Sequence, residues 1–195
     1  AVLLMVLATN GVMADEDVFT SGDYQYCILE DGTAEITRYS GEDEVLKIPE
    51  TLEGKTVTSI GKWAFALRRS LMRVELPDGV TSIGDRAFYQ CDALRSIELP
   101  DSVTSIEDRA FFSCISLTSI ELPDGVTSIG DSAFYGCSSL VGIELPDSVT
   151  SIGDYAFEYC ENLTITVQRD SYAARYAKDK NLKYTYPDAN DWLNN

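Results

Sequence analysis

Two columns of reactive side chains recur at an interval of 23 residues. Cys91, Cys114, Cys137 and Cys160 form one; Glu75, Glu98, Glu121 and Glu144 form the other. Thiols can ligate zinc, but zinc sites draw cysteines two to four residues apart, and this spacing is far longer. Equivalent residues on neighbouring parallel strands stand about 5 Å apart with their side chains alongside one another rather than facing. The column therefore reads as buried free thiols serving as small core residues, and Cys27 takes the same reading. Carboxylates stacked at about 5 Å repel, which a raised pKa or a bound calcium ion would relieve. A pair at that separation is also the arrangement of retaining glycosidases. A repetitive ladder on a flat sheet, however, offers no pocket and nothing to distinguish an acid from a base. The glutamates read as a solvated polar face, and no metal site is assigned. Asp85, Asp108, Asp131 and Asp154 read as helix caps rather than ligands.

The chain has no histidine, which removes Ser-His-Asp and Cys-His nucleophile pairs and the commonest transition-metal ligand. Its glycines fall singly at turn positions, without a phosphate-binding pattern. The expectation is a protein with no catalytic activity and no cofactor. Two further columns could serve recognition instead. Tyr89, Phe112 and Tyr135 each follow a buried phenylalanine and offer aromatic anchors for a protein or a sugar, or a cover for the core. Trp63, Arg86, Arg109, Ser132 and Tyr155 form a column whose residue type varies from turn to turn. Varied side chains on a repeated frame are where such a protein can encode a partner.

The frame is the repeat L-x-x-I-x-L-P-D-x-V-T-S-I-G-D-x-A-F-x-x-C-x-x, seen at Leu94, Leu117 and Leu140, with an earlier copy from Ile48 lengthened by five residues within Thr51–Thr56. Five turns are expected, marked by Ala-Phe pairs at Phe65, Phe88, Phe111, Phe134 and Phe157. Ile97-Glu98-Leu99 alternates as a strand with Glu98 outward. Pro100-Asp101 ends it, and Val103–Ile106 is a second extended piece. Gly84-Asp85 then starts a short helix that buries Ala87, Phe88 and Cys91 on one face. One such turn cannot bury its apolar side alone, so stacking and end caps are obligatory. Tyr24–Ile28 and Ala34–Arg38 around Asp31-Gly32 predict a hairpin cap. At the other end, Ser171–Ala177 predicts a capped helix with Tyr172 and Tyr176 on one face, followed by a strand over Leu182–Tyr186. Arg68 replaces the cysteine in the first repeat, where the core meets a less buried edge.

The motif V-T-S-I-G-D-x-A-F-x-x-C, recurring in register between two matching caps, closely resembles the BspA-like leucine-rich-repeat family over about Tyr24 to Tyr186. The resemblance implies an α/β repeat: a leucine-rich-repeat solenoid of parallel strands and short helices. It also implies export, and often adhesion, with no catalytic residues. One departure is Glu107, where the other turns carry Gly61, Gly84, Gly130 and Gly153; it puts in doubt a positive φ at that position.

Residues 1–14 are uncharged and mostly apolar, too short to span a bilayer, and followed by Asp15-Glu16-Asp17. They read as a partial signal peptide. A linker and hairpin cap over 15–47, a solenoid over 48–163 and a C-terminal cap and tail over 164–195 complete the expected organisation. The net charge of −17, from 32 acidic and 15 basic residues, repels phosphate backbones and anionic headgroups, so no nucleic-acid partner is expected. The chain reads as a secreted or cell-surface module, monomeric, recognising an extracellular protein or glycoprotein. Tyr89, Phe112, Tyr135, Trp63, Arg86, Arg109, Tyr155 and the four glutamates are the candidate contacts. The alternatives are a structural spacer of a larger surface protein and a carbohydrate-binding module.

Overall fold

The computed structural model describes residues 17–187. The apolar segment 1–14, read as a signal peptide, lies outside them, as does the tail beyond 187. The chain winds into a solenoid of about seven turns. The second extended piece of each repeat builds its continuous wall. Strands Lys55–Ile60, Ser82–Ile83, Ser105–Ile106, Ser128–Ile129 and Ser151–Ile152 pair parallel and in register, each Ser beside Ser and each Ile beside Ile. Identical residues at identical depth follow from a 23-residue period equal to one full turn. The antiparallel strands Phe19–Ser21, Tyr24–Ile28 and Ala34–Tyr39 close this wall at one end, as the expected hairpin cap with one further strand. Gly32 supplies the left-handed residue of its turn, with φ of 84°, and Asp31 accepts the Thr33 N–H at 2.9 Å.

The strands carrying the glutamates form two separate three-stranded sheets. One joins Val45–Lys47, Arg73–Glu75 and Ser96–Glu98; the other joins Gly142–Leu145, Thr164–Val167 and Tyr184–Thr185. Between them, residues 119–121 make only a Ser119–Gly142 bridge. The levels beyond the five expected lie at the ends, where strands such as Val45–Lys47 and Tyr184–Thr185 stack without the Val-Thr-Ser-Ile or Ala-Phe signature.

The third side of each turn differs from the expected short helix. Over 84–91, the Ala87, Tyr89 and Cys91 N–H groups donate to the carbonyls of Gly84, Arg86 and Phe88, three residues back. The alternate N–H groups of Arg86, Phe88 and Gln90 donate across to Asp108, Ala110 and Phe112 of the next turn, at 2.8–2.9 Å. To aim them there, Arg86 and Gln90 adopt left-handed backbone, with φ of 57° and 52°. A helix would spend those donors within its own turn; here they tie one turn to the next. Ala87, Phe88 and Cys91 are fully buried nonetheless. The single α-helix among the described residues is the C-terminal cap, Tyr172–Asp179, where Ser171 Oγ accepts the Ala174 N–H at 3.0 Å.

The core is a set of columns. Phe65, Phe88, Phe111, Phe134 and Phe157 stack nearly parallel at 5.1–5.5 Å between ring centres. Tyr39 closes the stack at one end, 5.3 Å from Phe65, and Tyr176 at the other, 6.5 Å from Phe157. Gly84, Gly130 and Gly153 are not left-handed, which corrects the expectation of a positive φ there. A Cβ at Gly130 would lie 2.4 Å from the Asp108 nitrogen. The glycine therefore serves close approach of adjacent turns. Glu107, the exception in that column, reaches back so that its Oε2 accepts the Asp85 N–H at 3.0 Å.

Candidate functional site

Tyr89, Phe112 and Tyr135 form a second aromatic ladder, half-buried and parallel to the phenylalanine stack. Their rings stack face to face at 5.0 and 4.7 Å. Trp63 meets Tyr89 edge-on at 5.2 Å, and Tyr159 meets Tyr135 at 4.9 Å. The ladder thus gains a ring at each end from a different repeat position. In register, residues 66 and 158 are Ala and Glu, so a search confined to one column misses both neighbours.

The variable column lies on left-handed backbone throughout. Trp63, Arg86, Arg109, Ser132 and Tyr155 have φ between 55° and 62°. Each is followed by a buried alanine, at Ala64, Ala87, Ala110, Ala133 and Ala156. Trp63 and Tyr155 are exposed, at 42% and 62%, whereas Ser132 is buried and Arg86 and Arg109 are partly covered. Arg86 is held in place: it donates to Asp85 Oδ2 at 2.6 Å and its guanidinium lies 5.0 Å from the Trp63 ring centre. Tyr159, which the sequence reading passed over, is 59% exposed. Tyr155 and Tyr159 flank a 490 Å³ recess with Phe157, Tyr176 and Leu182 in its walls.

The glutamates line the opposite part of the turn. Glu75 and Glu98 are register partners and Glu75 is ion-paired to Lys47, which heads the column. Glu98, Glu121 and Glu144 are exposed, and no such cation pairs with them among the described residues. The break between the two small sheets falls inside this unneutralised run. A 790 Å³ groove beside it is lined by Glu121, Asp124, Glu144 and Asp147 among others. No group of three or more Cys, Asp or Glu among the described residues is arranged to hold a metal ion.

The aspartates expected as helix caps have no helix to cap. Asp108 Oδ1 instead accepts the N–H of Asp131 in the next turn, and Asp131 Oδ1 that of Asp154, both at 2.8 Å. The cysteines behave similarly. Each thiol donates to a phenylalanine carbonyl of the preceding turn: Cys91 to Phe65, Cys114 to Phe88, Cys137 to Phe111 and Cys160 to Phe134, at 3.1–3.2 Å. All five cysteines are buried, and none is joined in a disulfide. Burial pushes the thiol of Cys91 up to about 12 and that of Cys160 to about 11, and raises Cys114 and Cys137 as well.

A parallel solenoid with one-residue columns of Phe, Cys, Ile and Val, capped at both ends, defines a leucine-rich-repeat protein. The chain belongs to the BspA type leucine rich repeat family, whose repeat matches in six copies over residues 44–168. Among solved structures, it is 37% identical to a leucine-rich repeat protein of T. pallidum, covering 77% of this chain and 71% of that one, with a TM-score of 0.73. A leucine-rich repeat protein of Bacteroides ovatus is also 37% identical, covering 77% of this chain and 40% of that one, with a TM-score of 0.68. A leucine rich cell surface protein of Faecalibacterium prausnitzii is 30% identical over 85% of this chain and 56% of that one, with a TM-score of 0.53. The chain thus spans well under two thirds of the last two. No curated protein sequence matches it. No described helix is long and apolar enough to cross a membrane.

Proposed function

We propose that the chain is an exported, non-catalytic recognition module that binds an extracellular protein or glycoprotein through the face bearing its aromatic ladder. The observation that carries this reading is the exposed pair Tyr155 and Tyr159, 62% and 59% exposed beside an apolar recess at the end of that ladder. Large amphipathic rings on a rigid scaffold lose little entropy on binding, and they dominate the energetics of many interfaces. The repeat backbone fixes their positions, and the variable column changes their neighbours without disturbing the core. Surface exposure agrees with the F. prausnitzii relative, which is described as a cell surface protein.

The half-buried Tyr89, Phe112 and Tyr135 stack favours the spacer alternative for the middle of the ladder, because those rings also cover the core. The two roles are separated by binding the chain to an array of matrix proteins, mucins and glycans at physiological salt. One variant carries Tyr155→Ala and Tyr159→Ala; a second carries Tyr89→Ala, Phe112→Ala and Tyr135→Ala. A saturable hit lost in the first variant, with folding retained by circular dichroism, supports recognition at the exposed end. Silence across the array, or hits unchanged in both folded variants, removes the aromatic face as the site.

A further inference from the structure

At the N-terminal end of the solenoid a 280 Å³ cavity is lined by Thr37, Arg38, Tyr39, Trp63, Leu67 and Arg68, among others. Arg68 occupies the position that is cysteine in the next four turns. Where those thiols bond a carbonyl, the Arg68 Nε is buried with no hydrogen-bond partner. A buried guanidinium nitrogen left unsatisfied is unfavourable by the standards of native interiors. Neither Arg68 nor Arg38 forms an ion pair among the described residues. Nearby cations do: Lys62 and Arg86 pair with Asp85 at 2.8 and 2.6 Å, and Arg69 with Asp92 at 3.5 Å. In a chain of net charge −17, one cavity is thus lined by two arginines without an ion-pair partner among the described residues. Trp63 and Leu67, 42% and 48% exposed, supply apolar wall beside them.

Most backbone donors lining the cavity are already used. The N–H groups of Tyr39, Ala64, Ala66, Leu67 and Arg68 all bond carbonyls within the fold. Those donors are closed to an extended peptide. A compact ring bearing a carboxylate needs none: the guanidinium fork takes the carboxylate, and the C–H face of the ring lies on Trp63 and Leu67. The volume is near the lower limit for small-molecule sites, which fits one such ring.

We propose that this cavity binds the carboxylate of an acidic sugar, a uronic or sialic acid, held by Arg38 and Arg68. The inference rests on the recognition reading above, because it assigns part of a glycoprotein partner, but its site is separate from Tyr155 and Tyr159. Titration of the full chain by calorimetry with methyl β-glucuronide, and with the methyl glycoside of N-acetylneuraminic acid, tests it. Saturable binding of at least one is expected, weakening as salt rises, and at least tenfold weaker for the glucuronide methyl ester. Arg68→Cys restores the residue of the other turns and is expected to fold; Arg38→Gln changes an exposed side chain. Each is expected to weaken binding at least tenfold. No saturation with either sugar, equal binding of the methyl ester, or unchanged affinity in both variants would overturn the proposal. So would tighter binding of N-acetylglutamate amide, which would make the ligand an acidic peptide side chain. Sugar binding that survives Tyr155→Ala/Tyr159→Ala while array hits vanish would separate the two sites.

Discussion

The left-handed turns and the short helix expected from the sequence make opposite predictions for one substitution, Ser113→Gly. Ser113 has φ of 55°, and the equivalent residue of the next turn is Gly136, with φ of 71°. Holding an L-residue in left-handed backbone costs about 1–2 kcal/mol. Glycine removes that strain but gives the unfolded chain about 0.4–1 kcal/mol more conformational entropy to lose. The net expectation is a gain of about 0.5–1 kcal/mol, or about 1–4 °C in melting temperature for a chain of this size. In a helix, replacing serine by glycine would instead destabilise by about 0.5 kcal/mol. The reverse change, Gly136→Ala, forces a Cβ into left-handed backbone 3.2 Å from Ser113 Oγ, and should lose about 1 kcal/mol or more. Part of that loss should vanish in the double variant, where the hydroxyl is gone. Urea unfolding followed by circular dichroism reads both effects as shifts of midpoint at constant slope. A destabilised Ser113→Gly protein would refute the left-handed turns and the cross-turn bonding they serve.

Three further outcomes test the core columns. Phe111→Ala removes the central ring of the buried stack, flanked by Phe88 and Phe134 at 5.4 and 5.3 Å, and should cost about 3–5 kcal/mol in the same unfolding assay. The buried thiols should resist a thiol-exchange reagent in the native chain and all react in denaturant. Because burial raises their folded-state pKa, the unfolded chain loses thiol protons first. Their stabilisation is full below about pH 9 and declines through pH 11–12, at up to about 1.4 kcal/mol per pH unit for each thiol. A melting temperature flat from pH 8 to 11, or equal slopes in a Cys91→Ala/Cys160→Ala variant, would remove this linkage.

The sequence by itself determined the repeat, its inward-facing residues and its caps. A 23-residue period with Phe, Cys, Ile and Val at fixed places leaves a single way to bury them all, by stacking turns in register. Ser171, Asp31-Gly32 and the tyrosines near each end carry local signals that need no tertiary information. Tertiary structure decided where the polar backbone groups bond. Period and burial are the same for a short helix and for overlapping left-handed turns that hide Ala87, Phe88 and Cys91. Only the neighbouring turn, standing ready to accept the N–H groups of Arg86, Phe88 and Gln90, selects the second. The same neighbour gives the glycine column its reason, which is contact rather than φ, and makes the aspartates donors' partners across turns rather than caps. The two arginine side chains at the N-terminal cavity and the exposed Tyr159 were hidden for a related reason. Arg38 and Arg68 are thirty residues apart in sequence and in different structural units, and Tyr159 is one residue out of register. Juxtaposition of this kind belongs to the winding of the chain, which no column of the repeat records.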